Sequence, residues 1–414
     1  MRMNFKAIIH IVVLLCLALI SICVMSAYAA DASEAADITD ICDFKPASNK
    51  KEFQRCLDRK YMTYWHSNGG KYAAVDVTVP EGSPAGYIYL QWYDHPHSAL
   101  IETQDADGNW QPVCKTEGKY LAECVKLPPG INSFRIKPAP EKSGQLFISE
   151  LTVYGEGKLP EKVQIWEPAL EKADMLLIVA HPDDEVLWFG GLLPTYAGNL
   201  QKSVQVCVMV PTSHRRLELL DSLWTCGIRN YPVWGGFRDS FSGSLQGQYQ
   251  KWNKKTVYST VAEWIRRFKP DVLLTHDING EYGHGAHRAC ADAVCNVLED
   301  CNNPEKYPES AQKYGVWNVP KCYIHLYKDN PIQMDWRKPL ASFNGKTSFE
   351  IAEEAFNCHI SQRGKQYHVE DTGPYDNSKF GLVRSLVGPD VMKNDFFENI
   401  EGGSDSFLVV EDME

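Results

Sequence analysis

The stretch LLIVAHPDDEVLWFGG, residues 176–191, decides how the second half of this chain folds. Apolar residues from Leu176 to Ala180 run straight into His181, Pro182, Asp183, Asp184 and Glu185. The apolar run suits a fully buried strand, and the turn after it has two readings. In one, a helix starts here. Pro182 stands where an N-terminal proline belongs, and acids in a first turn complement the helix dipole. In the other, His181 and the acids are metal ligands at the carboxyl end of a strand. The rest of the chain has to choose between them.

Downstream the same alternation repeats. VQVCVMV (204–210) reads as a strand, and RRLELLDSLWTCG (215–227) as an amphipathic helix stopped by Gly227. TVYSTVAEWIRRF (256–268) is a helix, and after Pro270 comes the strand DVLLTH. AHRACADAVCNVLED (286–300) is again a helix and KCYIHLY (321–327) a strand. This predicts an α/β unit over 174–400, with a Rossmann-like, mostly parallel sheet and helices on both faces.

Such sheets gather ligand sites at the carboxyl ends of their strands. DVLLTH leads into DINGEYGHGAHRAC, where His284 and His287 are three apart at a helix start, framed by His276 and Glu281. Two strand ends can therefore bring His181, Asp183, Asp184, His284 and His287 into one pocket. Two neutral imidazoles and one carboxylate, with positions left open, make a catalytic rather than a structural zinc site. Such an ion acidifies water and polarises a carbonyl oxygen, and a second carboxylate beside it can take the water's proton.

Residues 38–156 follow a different period. YAAVDVTV, AGYIYLQWY, NSFRIKP and GQLFISELTVYG alternate apolar and polar positions between Gly, Pro and Asn breaks. That predicts an all-β sandwich preceding the α/β unit, joined to it by a polar, Gly- and Pro-bearing linker at 157–173. Trp65, Trp92, Tyr93, His95 and His97 suggest an aromatic sugar platform, although core is the commoner fate of such tryptophans.

The whole chain bounds the choices further. Its 414 residues, 44% apolar and 23% charged, suit two or three soluble domains rather than disorder. Residues 1–30 form their own class: Arg2 and Lys6, a long apolar run, then SAYAA. This is the pattern of a secretory signal cleaved near Ala29 or Ala30, predicting a secreted, extracellular or periplasmic protein with no membrane span afterwards. An uncleaved N-terminal anchor is the alternative. The net charge of −11 becomes more negative once Arg2 and Lys6 are removed, which argues against nucleic acid as a partner. Of the 13 cysteines, Cys42 with Cys56 and Cys114 with Cys124 are expected local disulfide pairs in an oxidising compartment. No Cys-x-x-Cys occurs, so a thiolate zinc site has no support.

Together, AHPDDE and YGHGAHRA resemble the metal-dependent N-acetylglucosaminyl deacetylases called PIG-L or LmbE-like. RRLE (215–218) is similar to the family's Arg-x-x-Glu, GGFRD to the loop ending in a pocket aspartate at Asp239, and CHISQ (358–362) to its late His-x-Ser-Gln. Read without the family, Arg215 and Glu218 are an i,i+3 surface pair, and His359 and Gln362 a helix face. The resemblance implies that His181, Asp184 and His287 ligate Zn2+ and that Asp183 is the general base. It makes His284 the oxyanion stabiliser or acid, Tyr282 a gate or carbonyl polariser, and Asp239 and Arg215 substrate-binding or supporting residues.

The chain departs from compact family members in its N-terminal unit, its tail VGPDVMKNDFFENI and the insertion SFSGSLQGQYQKWNKK. CLDRKYMTYWHS, LPPGINSFRIKP and GQLFISELTVYGEG resemble a discoidin-type, or jelly-roll carbohydrate-binding, domain. The combined expectation is a secreted zinc-dependent deacetylase acting on an N-acetylated amino-sugar glycan or glycoconjugate. The rival expectation is a non-catalytic carbohydrate-binding or adhesion protein on a deacetylase-like scaffold.

Overall fold

The computed structural model describes residues 33–140 and 144–400. The segment read as a secretory signal, 1–30, lies outside the described residues. Among the described residues, no helix is long and apolar enough to cross a membrane.

The N-terminal strands are β1 (Asp43–Pro46), β2 (Trp65–His66), β3 (Val75–Thr78), β4 (Ala85–Trp92), β5 (Ala99–Gln104), β6 (Trp110–Lys115), β7 (Ala122–Ile131), β8 (Ser133–Pro138) and β9 (Phe147–Gly155). They build two antiparallel sheets, β1-β3-β8-β5-β6 and β2-β9-β4-β7. Alternation does the work here. Val75 and Val77 from the first sheet and Ile88, Leu90 and Trp92 from the second are all buried in a single apolar core.

Trp65 and Trp92 are 0% exposed, which corrects the sugar-platform reading for both. Trp65 meets Phe53 edge-on at 5.2 Å and donates its indole N–H to the Asn49 carbonyl at 3.2 Å. Trp65→Ala is expected to lower the unfolding free energy by about 3–5 kcal/mol, read by denaturant titration.

The expected disulfides do not form: Cys42, Cys56, Cys114 and Cys124 are free thiols. The reason is register. Cys114 on β6 pairs with Ile101 in one sheet, while Cys124 on β7 pairs with Tyr89 in the other. Cys42 and Cys56 each donate instead to a carbonyl of their own turn, Ile38 and Phe53.

The second half continues with β10 (Met175–Val179), α1 (Asp184–Leu187), β11 (Val204–Val208), α2 (Ser213–Thr225), β12 (Val233–Trp234), α3 (Leu245–Lys251), α4 (Lys254–Phe268), β13 (Val272–Thr275), α5 (Gly285–Val297), α6 (Pro308–Tyr314), β14 (Lys321–His325), β15 (Pro331–Gln333), α7 (Ser348–Phe356) and β16 (Lys379–Ser385). Its seven-stranded sheet runs β12-β11-β10-β13-β14-β16-β15. The strands from β12 to β14 are parallel, and β16 is antiparallel to both its neighbours.

Successive residues of β10 point to opposite faces, and both faces are covered. Met175, Leu177 and Val179 join Leu219, Leu223 and Ala352 of α2 and α7. Leu176 and Ile178 join Val261, Ile265 and Ala289 of α4 and α5. That is why the sequence runs apolar without alternation through the sheet centre. The helix start read in HPDDE is only one α-helical turn, α1, beginning at Asp184.

Helix α2 is shared between the two halves. On one side Asp221 accepts from Tyr61 Oη at 2.7 Å and from Gln164 Nε2 in the linker at 2.6 Å. Arg216 donates to the Asp94 carbonyl, and beyond the helix Tyr231 Oη accepts the Leu121 N–H at 3.1 Å. On the other side, Arg215, Glu218 and Ser222 face the site described next.

Candidate metal centre

Adjacent parallel strands end level with one another. Ile178 of β10, Thr275 of β13 and Ile324 of β14 are in register. Just beyond them stand His181, His276 and His325, all buried. Parallel pairing thus converts three distant segments of sequence into one row of imidazoles at the carboxyl edge of the sheet.

Glu281, fully buried in the turn before α5, ties that row together. It accepts from His276 Nδ1 at 2.9 Å, from His287 Nδ1 at 2.7 Å and from His325 Nδ1 at 2.7 Å. The Ala180 N–H donates to His276 Nε2 at 3.0 Å, which leaves the His276 proton on Nδ1 for Glu281. Burial opposes the charge of Glu281, but His276 and its three hydrogen bonds hold its carboxyl well below the usual range. The turn needs Gly280, at φ +67°, because a Cβ there would lie 2.5 Å from the His284 carbonyl.

His181, Asp184 and His287 offer ligand atoms within 4.8 Å of one another. Asp184 is aimed by two donors, the His181 N–H at 2.7 Å and Trp188 Nε1 at 2.9 Å. His287 gives its Nδ1 proton to Glu281, so its Nε2 lone pair points the other way. The Nε2 atoms of His181 and His287 are buried without any hydrogen-bond partner. Buried imidazole nitrogens beside a carboxylate, with the far side of His287 fixed by a second carboxylate, Glu281, are the donor set of a zinc-type site, and the residues fit such an ion.

The electrostatics agree with the geometry. Burial opposes charge on Asp184, yet His287, His276 and His181 keep its carboxyl well below the ordinary value. Burial opposes a proton on His287 as well, but Asp184 and Glu281 outweigh it and raise that imidazole to about 10. The pocket therefore attracts positive charge, and a metal ion competes with a proton for the same lone pair.

Asp183 lies beside this triad in a different environment. Its backbone is left-handed, φ 112° and ψ −24°, a conformation costing a non-glycine residue about 1–3 kcal/mol. Glu185 holds the Asp183 N–H at 2.8 Å, and Arg215 donates to Asp183 Oδ1 at 2.7 Å and to the Pro182 carbonyl. Burial pushes the Asp183 carboxyl up to about 7, against the pull of Arg215. Arg215 also lies 3.9 Å from Asp239, which is half-exposed and accepts from Thr212 Oγ1 at 3.2 Å.

The helix-start reading of HPDDE accounts for little of this. Asp183 is the N-cap position but makes no side-chain capping bond. Glu185 instead reaches Ser222 Oγ at 2.6 Å and His359 Nε2 at 2.7 Å. Glu218 does not pair with Arg215; it accepts from Ser361 N at 2.8 Å and Ser361 Oγ at 2.7 Å. RRLE and CHISQ thus clasp each other behind the site rather than lining a surface.

His284 caps α5, its Nδ1 accepting the Ala286 N–H at 3.1 Å, so a neutral ring carries its proton on Nε2. Burial, His287 and His181 push its pKa down to about 3, which keeps the ring neutral. It lies 4.7 Å from the His287 ring and 4.8 Å from that of His181. Tyr282, strained at φ 44°, stacks on Tyr367 at 4.7 Å and meets His284 and His287 edge-on at 5.5 Å.

His181, Asp183, Asp184, Arg215, Tyr282, His284 and His287, all named from the sequence, come together here, and the half-exposed Asp239 lies beside Arg215. Trp188, Ser222 and His325 were not singled out, and Glu281 only as a frame. His325 had one signal: it closes an apolar strand, as His181 does.

The sequence pattern of the family described as PIG-L: GlcNAc-PI de-N-acetylase matches residues 176–298. The chain is 24% identical over 209 residues to 1D-myo-inositol 2-acetamido-2-deoxy-alpha-D-glucopyranoside deacetylase 1 of Frankia casuarinae, covering 42% of this chain and 66% of the relative. It thus spans just under two thirds of that relative's length. A protein of the same description from Catenulispora acidiphila is 26% identical over 283 residues, covering 56% of this chain and 86% of its own. Among solved structures, the N,N'-diacetylchitobiose deacetylase of Pyrococcus horikoshii is similar at 19% identity and a TM-score of 0.35, over 46% of this chain and 71% of that one. With both signature motifs inside the matched segment, the chain carries a PIG-L domain at residues 176–298.

Proposed function

We propose that this protein is a zinc-dependent amide hydrolase that removes the N-acetyl group of an N-acetylglucosamine-type sugar in a glycan or glycoconjugate. The observation that carries the reading is the cluster of His181, Asp184 and His287, in which the buried Nε2 atoms of both histidines make no hydrogen bond, with Asp183 beside it. The activities for which the relatives are named, on 2-acetamido sugars, support the same bond.

His181, Asp184 and His287 would hold the zinc ion, which supplies an acidified water and a polarised acetyl carbonyl. Asp183, with a pKa of about 7, takes the proton of the attacking water. Arg215 keeps that carboxylate turned inward. His284 donates its Nε2 proton in a hydrogen bond to the oxygen of the tetrahedral adduct, and Tyr282 closes the pocket beside it. The proton taken up by Asp183 then passes to the amine nitrogen, and the C–N bond breaks to leave acetate and the free amino sugar. Asp239, half-exposed beside Arg215, would accept from a sugar hydroxyl.

The same reading makes the protein an exported one and its N-terminal sheets a carbohydrate-binding-type sandwich packed on a Rossmann-like catalytic unit. A glycan is then a better substrate than a free intracellular metabolite. The test is release of acetate and free amine from N-acetylglucosamine oligosaccharides before and after dialysis against a chelator. Activity is expected to fall by at least about tenfold on chelation and to return with zinc. Activity that persists in metal-free protein would overturn the proposal.

A further inference from the structure

The insertion SFSGSLQGQYQKWNKK, which the matched motifs leave unexplained, puts a phenylalanine at the mouth of the pocket. Phe241 is 66% exposed, yet its ring lies 5.2 Å from that of His284 with the planes at 87°. A single exposed aromatic is ordinary on a mobile loop. This loop is pinned on both sides of the ring. Trp252 Nε1 donates to the Arg238 carbonyl at 2.8 Å, Lys251 Nζ to the carbonyl of Phe241 itself, and the Gly285 N–H to that of Ser242 at 2.6 Å.

Position 285 admits only glycine for the same reason. A Cβ there would lie 2.8 Å from the Ser242 carbonyl oxygen and 2.7 Å from that of Ser244. The close approach fixes Phe241 against the start of α5, where His284 and His287 reside. The same loop carries Asp239 two residues earlier, joined to the general-base side of the pocket through Arg215.

A pyranose has flat C–H faces and a rim of hydroxyls. One loop here presents a flat apolar ring and, two residues away, a hydroxyl acceptor, both at the open edge of a metal-type pocket. On the proposed deacetylase reading, we infer that Phe241 stacks on a pyranose face of the substrate and so positions the acetamido group beside Asp183 and His284. It acts as a specificity-determining contact, binding the sugar without taking part in the bond chemistry.

The experiment compares Phe241→Ala, Phe241→Leu and Phe241→Trp with the unaltered, zinc-loaded protein, using N,N'-diacetylchitobiose as the probe. Steady-state kinetics are read alongside calorimetric binding of the same sugar to Asp183→Asn protein with and without Phe241→Ala. Phe241→Ala is expected to raise KM and Kd together by roughly five- to tenfold with kcat changed less than about twofold, and Phe241→Trp to restore both. Phe241→Leu, which keeps an apolar side chain but loses the flat face, falls between. Melting temperatures are expected to match, because the ring is mostly in solvent.

An unchanged KM and Kd in Phe241→Ala, with activity still abolished by Asp183→Asn, would overturn this inference and leave the deacetylase reading standing. A loss confined to kcat would overturn it too. If the unaltered protein neither binds the sugar nor releases acetate, both fall together.

Discussion

Asp183→Asn is expected to lower kcat by about 10²- to 10⁴-fold, the span that a positioned general base contributes, with zinc content unchanged. Asparagine keeps the shape and can still accept from Arg215, but it has no basic oxygen for the water's proton. Metal analysis beside the kinetics separates this from loss of the ion. Because burial raises Asp183 to about 7, its ionised, proton-accepting form grows as pH rises through that value. A cation in the pocket favours the ionised form and draws the midpoint lower. The low-pH limb of kcat/KM should therefore climb with pH and vanish in Asp183→Asn. A limb that persists unchanged in the variant would assign the base elsewhere.

Glu281→Gln is expected to weaken zinc affinity by about 10- to 100-fold, measured by competition with a chromogenic chelator. Glu281 touches no ligand atom that faces the ion. It accepts the Nδ1 protons of His276, His287 and His325, and so fixes which nitrogen of His287 is free. Glutamine supplies one carbonyl oxygen and turns an N–H₂ toward imidazole donors. His287 loses both its orientation and part of its basicity. Saturating zinc should restore most of the variant's activity, whereas Asp183→Asn stays inactive at any zinc concentration. Equal zinc affinity in the two proteins would reduce Glu281 to packing.

Those two residues also mark where the sequence could be read and where it could not. HPDDE and HGAH were legible because each follows a strand-like apolar run, and parallel strands end together. The strands and the major helices followed from period alone: α2, α4 and α5 begin within two residues of their expected starts. Glu281 was harder, since a carboxylate in a loop of mixed polarity has no periodic context. His276 and His287 lie five and six residues from it, but His325 is 44 residues on and arrives only when β13 and β14 pair. Glu185 and Glu218 looked like helix-surface acids for the same reason: nothing local announces Ser222, His359 and Ser361 as their partners. The tryptophans of the N-terminal unit show the opposite limit. Trp65 and Trp92 offered both a sugar platform and core, the commoner fate of such residues, and the core is where they lie.

Helix α2 carries a consequence for anyone who would take this protein apart. Its inner side seats Arg215 against Asp183 and Glu218 against Ser361, while its outer side takes Tyr61, Gln164 and the Asp94 loop. The two halves are therefore not interchangeable parts on a string. A transplanted catalytic half, cut near residue 174, would carry a helix with bare polar groups on one flank and the general base leaning on the other. Any replacement for the N-terminal sheets inherits the task of keeping that helix in register.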